Sequence, residues 1–246
     1  MSMHILTEQE ILRIWEIGLD QHPVDRALTM LAVAFPELPP EKLLALSIGQ
    51  RDAYLLTIHE RNFGGRLASL ASCQECQERL EFVLDVADLR VAQKSDPIDQ
   101  VQEMTAEGVE LHFRLPNSLD LAAISSYREV AAARDELIRR CVMQACQDSH
   151  NVAAEALPET VIAAIASQMV ERDPQADVQL DLTCPACGHG WSVIFDIVAF
   201  CWSEVCAAAK RLLQEVHILA LAYGWREADI LSMGAIRRQF YLEMVT

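Results

Sequence analysis

The sequence contains no apolar run near the roughly 18 uncharged residues that a membrane span needs, so no transmembrane helix is expected. Its first residues, MSMHILTEQEIL, carry acidic residues where a secretory leader would be basic, so no cleaved signal is expected and the expected location is the cytoplasm. Basic residues are scarce: 20 Lys and Arg face 36 Asp and Glu, a formal net charge of −16. That balance works against phosphate backbones and anionic membranes, whose binding rests on Lys and Arg contacts. Catalytic signatures are also missing. There is no Gly-x-x-x-x-Gly-Lys-Ser/Thr, no Gly-x-Gly-x-x-Gly after a strand, no Gly-x-Ser-x-Gly and no His-Glu-x-x-His. The seven histidines are scattered. His217, beside Val216 and Ile218, reads as a packed or boundary residue; His59, beside Glu60 and Arg61, as a solvated helix face; His22, before Pro23, as a residue at a helix start. No enzyme is expected.

What the chain does have is apolar material and cysteine. Apolar residues make up 52% of its 246 positions, enough for a substantial core. Eight cysteines are present, and in a reducing compartment Cys-x-x-Cys pairs point to metal more often than to disulfides. Two such pairs lie in matching contexts. SCQECQERLEFVLDV begins at Ser72, and TCPACGHGWSVIFDI begins at Thr183. Cys73 corresponds to Cys184, Cys76 to Cys187 and Asp85 to Asp196. Each pair sits between two alternating segments, RLASLAS and LEFVL in the first copy, DVQLDLT and WSVIF in the second.

A strand, a Cys-x-x-Cys turn and a returning strand make a zinc knuckle, which supplies two ligands. Structural zinc takes four in a tetrahedron. The simplest arrangement therefore places Cys73, Cys76, Cys184 and Cys187 around one Zn²⁺, a structural site with no open position for water or substrate. The second copy has Pro after its first Cys and Gly after its second, as such turns favour; the first copy, CQECQE, has neither. A redox dithiol would open a helix in a βαβ setting, and neither pair does. Cys141/Cys146 and Cys201/Cys206 are five residues apart on predicted helices, a spacing that suits neither a metal nor a disulfide, and read as small buried residues.

Periodicity supplies the rest. Thr7 and Glu10 have capping-box spacing ahead of a first helix, and Pro23 opens a second. PELPPE is a turn leading to a short helix over 42–46 and a longer one over 50–63 that stops at Gly64-Gly65. Residues 92–108 read as a loose loop, and VELHFRLP as a half-buried strand. From residue 118 to about 173 the pattern is helical, including one amphipathic helix over 127–146. A long helix over 197–223 stops at Gly224, and two shorter ones follow over 227–232 and 235–245. The expected class is α+β, mostly helical, with a split zinc-ribbon-like pair of hairpins and a helical insertion. The segments are an N-terminal helical part (1–65), a first knuckle hairpin (66–86), an insertion (87–175), a second knuckle hairpin (176–196) and C-terminal helices (197–246), expected to form one compact unit.

Two polar regions stand out at the ends. HPVDRAL puts Asp25 and Arg26 in the first turn of a helix, where Asp suits the helix dipole and Arg26 can pair with another segment. The C-terminal stretch gathers Tyr223, Trp225, Phe240 and Tyr241 around Arg226, Arg237 and Arg238, a composition enriched at protein–protein hot spots.

The segments ILRIWEIGLDQHPVDRALTMLA, SIGQRDAYLLTIHERNFG, FRLPNSLDLAAI, LTCPACGHGWSVIFDIVAFCW and EVHILALAYGWREADILSMGAIRRQFYLEMV, in that order, resemble the T4-type phage baseplate protein family. Its members are called baseplate hub assembly chaperones, and related proteins occur in gene clusters for phage-tail-like contractile injection systems. The resemblance implies a non-enzymatic role in the cytoplasm of the producing bacterium, holding a hub or baseplate subunit until assembly. The matched positions that would carry partner binding are Trp15, Asp25, Arg26, Arg51, Asp52, Trp225, Arg237, Arg238 and Tyr241. The alternative is a zinc-ribbon nucleic-acid-binding or transcription-associated protein. Against it, the charges around the first knuckle are Glu75, Glu78, Arg79, Glu81 and Asp85 and those around the second Asp177, Asp181 and Asp196, on balance the wrong sign for a nucleic acid. A metal-dependent hydrolase would need an open metal position.

Overall fold

The computed structural model describes residues 3–91 and 101–245. Helix α1 (Glu8–Gly18) is closed by the predicted capping box: Thr7 Oγ1 accepts from the Glu10 N–H at 3.3 Å, and the Glu10 carboxylate accepts from the Thr7 N–H at 2.8 Å. Helix α2 (Pro23–Ala34) starts on Pro23, with His22 Nδ1 accepting from the Val24 N–H. Short α3 (Pro40–Ala45) leads to α4 (Ile48–Phe63), capped reciprocally by Ser47 and Gln50 and ended by Gly64 at φ 101°. Strands β1 (Arg66–Ser72) and β2 (Arg79–Asp85) form the first hairpin, followed by α5 (Val86–Leu89).

The insertion holds β3 (Gln102–Ala106), β4 (Val109–Phe113), α6 (Ser118–Ile124), α7 (Val130–Cys141), β5 (Val142–Gln147), β6 (His150–Asn151) and α8 (Glu159–Arg172). Strands β7 (Gln179–Thr183) and β8 (Gly190–Ile194) form the second hairpin. The chain ends with α9 (Ile197–Tyr223), α10 (Glu227–Leu231) and α11 (Ala235–Glu243). The class is α+β, mostly helical, with small antiparallel sheets. None of the described helices is long and apolar enough to cross a membrane.

Two expectations in the insertion are corrected. Of the predicted loop, residues 92–100 lie outside the described residues, but 102–106 form β3. Glu107 (φ 51°) and Gly108 (φ 77°) make a two-residue hairpin turn between β3 and β4; paired positive φ values match the right-handed strand twist. The amphipathic helix expected over 127–146 stops at Cys141, and Val142–Gln147 pairs antiparallel with β4 instead. Cys146 is therefore a strand residue, with its thiol 3.1 Å from Asn151 Oδ1. The β3-β4-β5-β6 sheet buries Val109, Leu111, Phe113 and Ala145 with Ile138 and Cys141 of α7 and Val161, Ile165 and Met169 of α8.

The chain divides into two compact units. One comprises residues 1–36 and 198–246. Within it, Leu12 packs with Ala209, Leu212 and Leu231, and Leu219 with Ile230 and Leu242. Gly18 meets the Trp202 ring so closely that a Cβ would overlap it. The other unit, residues 37–197, contains all eight strands of the described residues and both Cys-x-x-Cys turns.

Candidate metal centre

The two hairpins build the same turn. In the first, Cys73 donates its N–H to Glu78 O at 2.9 Å and its carbonyl accepts from Gln77 N at 3.0 Å. In the second, Cys184 N–H reaches His189 O at 2.8 Å and its carbonyl accepts from Gly188 N at 2.9 Å. The residue after the second cysteine is left-handed in both, Gln77 at φ 62° and Gly188 at φ 74°. CQECQE thus adopts the knuckle without the favoured Pro and Gly.

The turns bring Cys73, Cys76, Cys184 and Cys187 together, with their four sulfurs all within 4.8 Å of one another. Cys73 Sγ lies 3.6 Å from Cys187 Sγ, and Cys76 Sγ lies 3.6 Å from Cys184 Sγ. A tetrahedron with metal–sulfur bonds of about 2.3 Å needs sulfurs roughly 3.8 Å apart, so this spacing accepts an ion. Among the described residues this is the one cluster of three or more His, Cys, Asp or Glu side chains close enough to share a metal. Cys73 and Cys184 are buried; Cys76 and Cys187 are exposed.

The electrostatics also favour a cation. Backbone N–H groups of Cys76 and Glu75 favour the Cys73 thiolate and lower its pKa. The N–H groups of Cys187 and Ala186 act the same way on Cys184, pulling it down to about 7. At Cys76 the Glu78 N–H favours the thiolate, but hydrogen bonding with the Cys187 and Cys184 sulfurs prevails and pushes it up to about 12. Four thiols this close cannot all ionise without a positive ion among them.

Segments outside the hairpins hold the two halves in place. Buried Gln175, just ahead of β7, accepts from Val91 N at 2.8 Å and donates to Leu89 O at 3.0 Å, just beyond β2. One side chain thereby ties the exit of the first knuckle to the entrance of the second. Buried Asp173 accepts from Gly49 N at 2.8 Å, anchoring the same turn to the start of α4. Neither residue stands out in the sequence, because each is a lone polar residue in a polar segment.

The remaining candidates are not gathered into one site. Trp15 is half-buried beside Leu12, Ala209, Leu212 and Leu231. Asp25 is exposed in the first turn of α2. Arg26 donates to Gly18 O at 2.8 Å and Leu19 O at 3.3 Å, closing the end of α1, and stacks 4.3 Å over Trp202. Arg51 is buried and paired with Asp52 at 2.8 Å. Arg238 is buried between Glu8 and Glu215, while Arg237 is exposed over the Tyr241 ring. Tyr223 stacks on Trp225 at 4.4 Å, and Tyr241 meets both edge-on. Phe240 stands outside this cluster and is 59% exposed.

Two histidine expectations need revision. His59 is fully buried rather than solvated: it lies one turn after Leu55 on the face of α4 that carries Arg51, Leu55 and Ile58. His217 is exposed on α9. Cys141 and Cys201 are buried as expected, whereas Cys146 and Cys206 are partly exposed.

The family described as T4 bacteriophage base plate protein matches residues 28–202, most of the chain, including all four clustered cysteines. No curated protein and no solved structure matches it.

Proposed function

The chain belongs to the T4 bacteriophage base plate protein family, and from that premise we propose that it is a non-enzymatic assembly factor for the baseplate or central hub of a contractile tail or phage-tail-like injection system. It acts in the cytoplasm of the producing bacterium, holding a hub or baseplate subunit until that subunit is incorporated. The family match across 28–202 carries this reading. The four-cysteine cluster supports a scaffold rather than a catalytic centre, since four thiolates would leave no open position on a bound ion.

The ion assigned to Cys73, Cys76, Cys184 and Cys187 is Zn²⁺, which suits an all-thiolate tetrahedral set. Structural zinc contributes about 10–16 kcal/mol of apparent binding energy in small domains, ample to offset the entropy of closing the long loop between the knuckles. Client contacts are assigned to the accessible candidates Asp25, Trp225, Arg237 and Tyr241. Trp15, Arg26 and Arg238 hold the helices that present them, and Arg51, paired with Asp52 in the other unit, is buried.

Co-expression with each subunit encoded beside this gene tests the proposal. A soluble one-to-one or higher complex with a hub or baseplate subunit is expected. Purification free of every tail component, together with normal particle assembly after deletion of the gene, would overturn it.

A further inference from the structure

The two hairpins leave a groove of about 590 Å³ lined by β2, β7 and Pro185 of the second turn; Leu80, Phe82, Leu84, Leu180 and Leu182 supply its apolar lining, and Glu81 and Asp181 also line it. On both strands the lining includes consecutive residues, 79–82 and 179–183. Successive side chains of a strand point to opposite faces, so the groove meets these strands along their edges.

The hydrogen-bond register shows which backbone groups face it. Val86 N donates to Gly65 O and Cys73 N to Glu78 O, so in the first hairpin the even-numbered residues of β2 bond to β1. The N–H and C=O of Arg79, Glu81 and Val83 point to the other edge. Phe195 N donates to Val178 O and Cys184 N to His189 O, so Gln179, Asp181 and Thr183 likewise turn away from β8. Each hairpin is a two-stranded sheet, and among the described residues no third strand takes these groups.

We propose that the groove between β2 and β7 receives an extended segment of a partner protein in which apolar residues alternate with Lys or Arg. The open edges supply main-chain donors and acceptors, which an added strand satisfies. The apolar positions of that strand would meet Leu80, Phe82, Leu84, Leu180 and Leu182. Its other face would lie beside Glu81 and Asp181, with Asp85 exposed further along β2, against a single Arg79. Acidic flanks therefore select a basic alternation over an acidic one. The inference goes beyond the assembly role and stands whichever client the protein serves.

The test uses the full-length protein and a fluorescein-labelled peptide, Lys-Val-Lys-Val-Lys-Val-Lys, read by anisotropy at low salt. Saturable binding is expected, with loss of about tenfold or more in affinity when alternate peptide amides are N-methylated, because that removes ladder hydrogen bonds. The double variant Glu81→Pro/Asp181→Pro removes two outward N–H groups that the hairpins do not use, together with two flanking carboxylates, and a loss at least as large as that from N-methylation is expected with unchanged thermal stability. Glu81→Lys/Asp181→Lys, which leaves the backbone intact, should shift preference to the Glu-for-Lys peptide. No saturable binding, or equal binding of the N-methylated peptide, or equal preference of wild type and the Lys variant, would overturn the proposal. A hub subunit that binds elsewhere would leave it standing.

Discussion

Gln77 and Gly188 occupy the same position in two turns 111 residues apart, and both are left-handed, at φ 62° and 74°. Glycine adopts that conformation without penalty, whereas an L-residue is strained by its Cβ.

Gln77→Gly should therefore stabilise the protein by about 1 kcal/mol, offset in part by the greater freedom of glycine in the unfolded chain. The reverse change, Gly188→Gln, should destabilise it by a similar amount. Chemical denaturation of the metal-loaded protein checks both.

Cys184→Ser should lower zinc content and thermal stability together, because three thiolates and a hydroxyl hold the ion far less well. Cys201→Ser, a buried cysteine outside the cluster, should leave zinc content unchanged. Elemental analysis and calorimetry on the same samples separate the two. Unchanged zinc in Cys184→Ser would sink the four-cysteine site.

Gln175→Leu should cost roughly 2–3 kcal/mol, since it leaves Val91 N–H and Leu89 C=O without their partner. It should also speed zinc release to a chelator, which a change far from the knuckles would not do. Chelator competition read with a chromogenic dye measures this.

Asp120 is fully buried, held by Arg114 at 2.5 and 2.9 Å and by Arg140 at 3.0 Å, and it also caps the Asn117 N–H at 3.0 Å. Burial alone would raise its pKa, but the Arg114 hydrogen bonds and the Asn117 N–H outweigh burial and hold it below the ordinary carboxylate value. A lowered folded pKa means stability that is present above the unfolded pKa and lost as pH falls through the folded one. Asp120→Asn should cost about 3–5 kcal/mol near neutral pH, because two arginines lose their counter-charge. The deficit should shrink below pH ~4, where the wild-type carboxylate begins to be protonated in the unfolded chain. Urea titrations at several pH values would show it.

Asp52 has the opposite sign. Burial dominates and raises its pKa despite the neighbouring Arg51, with Asp196 and Asp173 adding to the rise. A raised folded pKa means that this group's contribution is fully present below the unfolded pKa and lost as pH rises through the folded one. Asp52→Asn should therefore gain stability relative to wild type as pH rises from about 4 towards neutral. A constant difference across that range would refute the assignment.

Local rules were enough for much of this protein. Capping boxes at Thr7 and Ser47, Pro23 at a helix start, and Gly64 and Gly224 at helix ends are decided within a few residues of chain, so they are legible without tertiary knowledge. The two Cys-x-x-Cys turns are legible for the same reason, and the four-ligand preference of a structural metal is enough to predict that they meet, as their four sulfurs do. What needed the tertiary structure were the choices made by distant partners. Val142–Gln147 leaves the helix because the free edge of β4 offers it a ladder, a pairing that no local period announces. His59 is buried because α4 turns its Leu55 face inward, and beside Glu60 and Arg61 its local surroundings look solvated. The mutual placement of the knuckles depends on Gln175 reaching back to Leu89 and Val91, a contact between residues more than eighty positions apart. Nearby residues determine which elements form; the hydrogen-bonding needs of distant backbone groups decide how they meet.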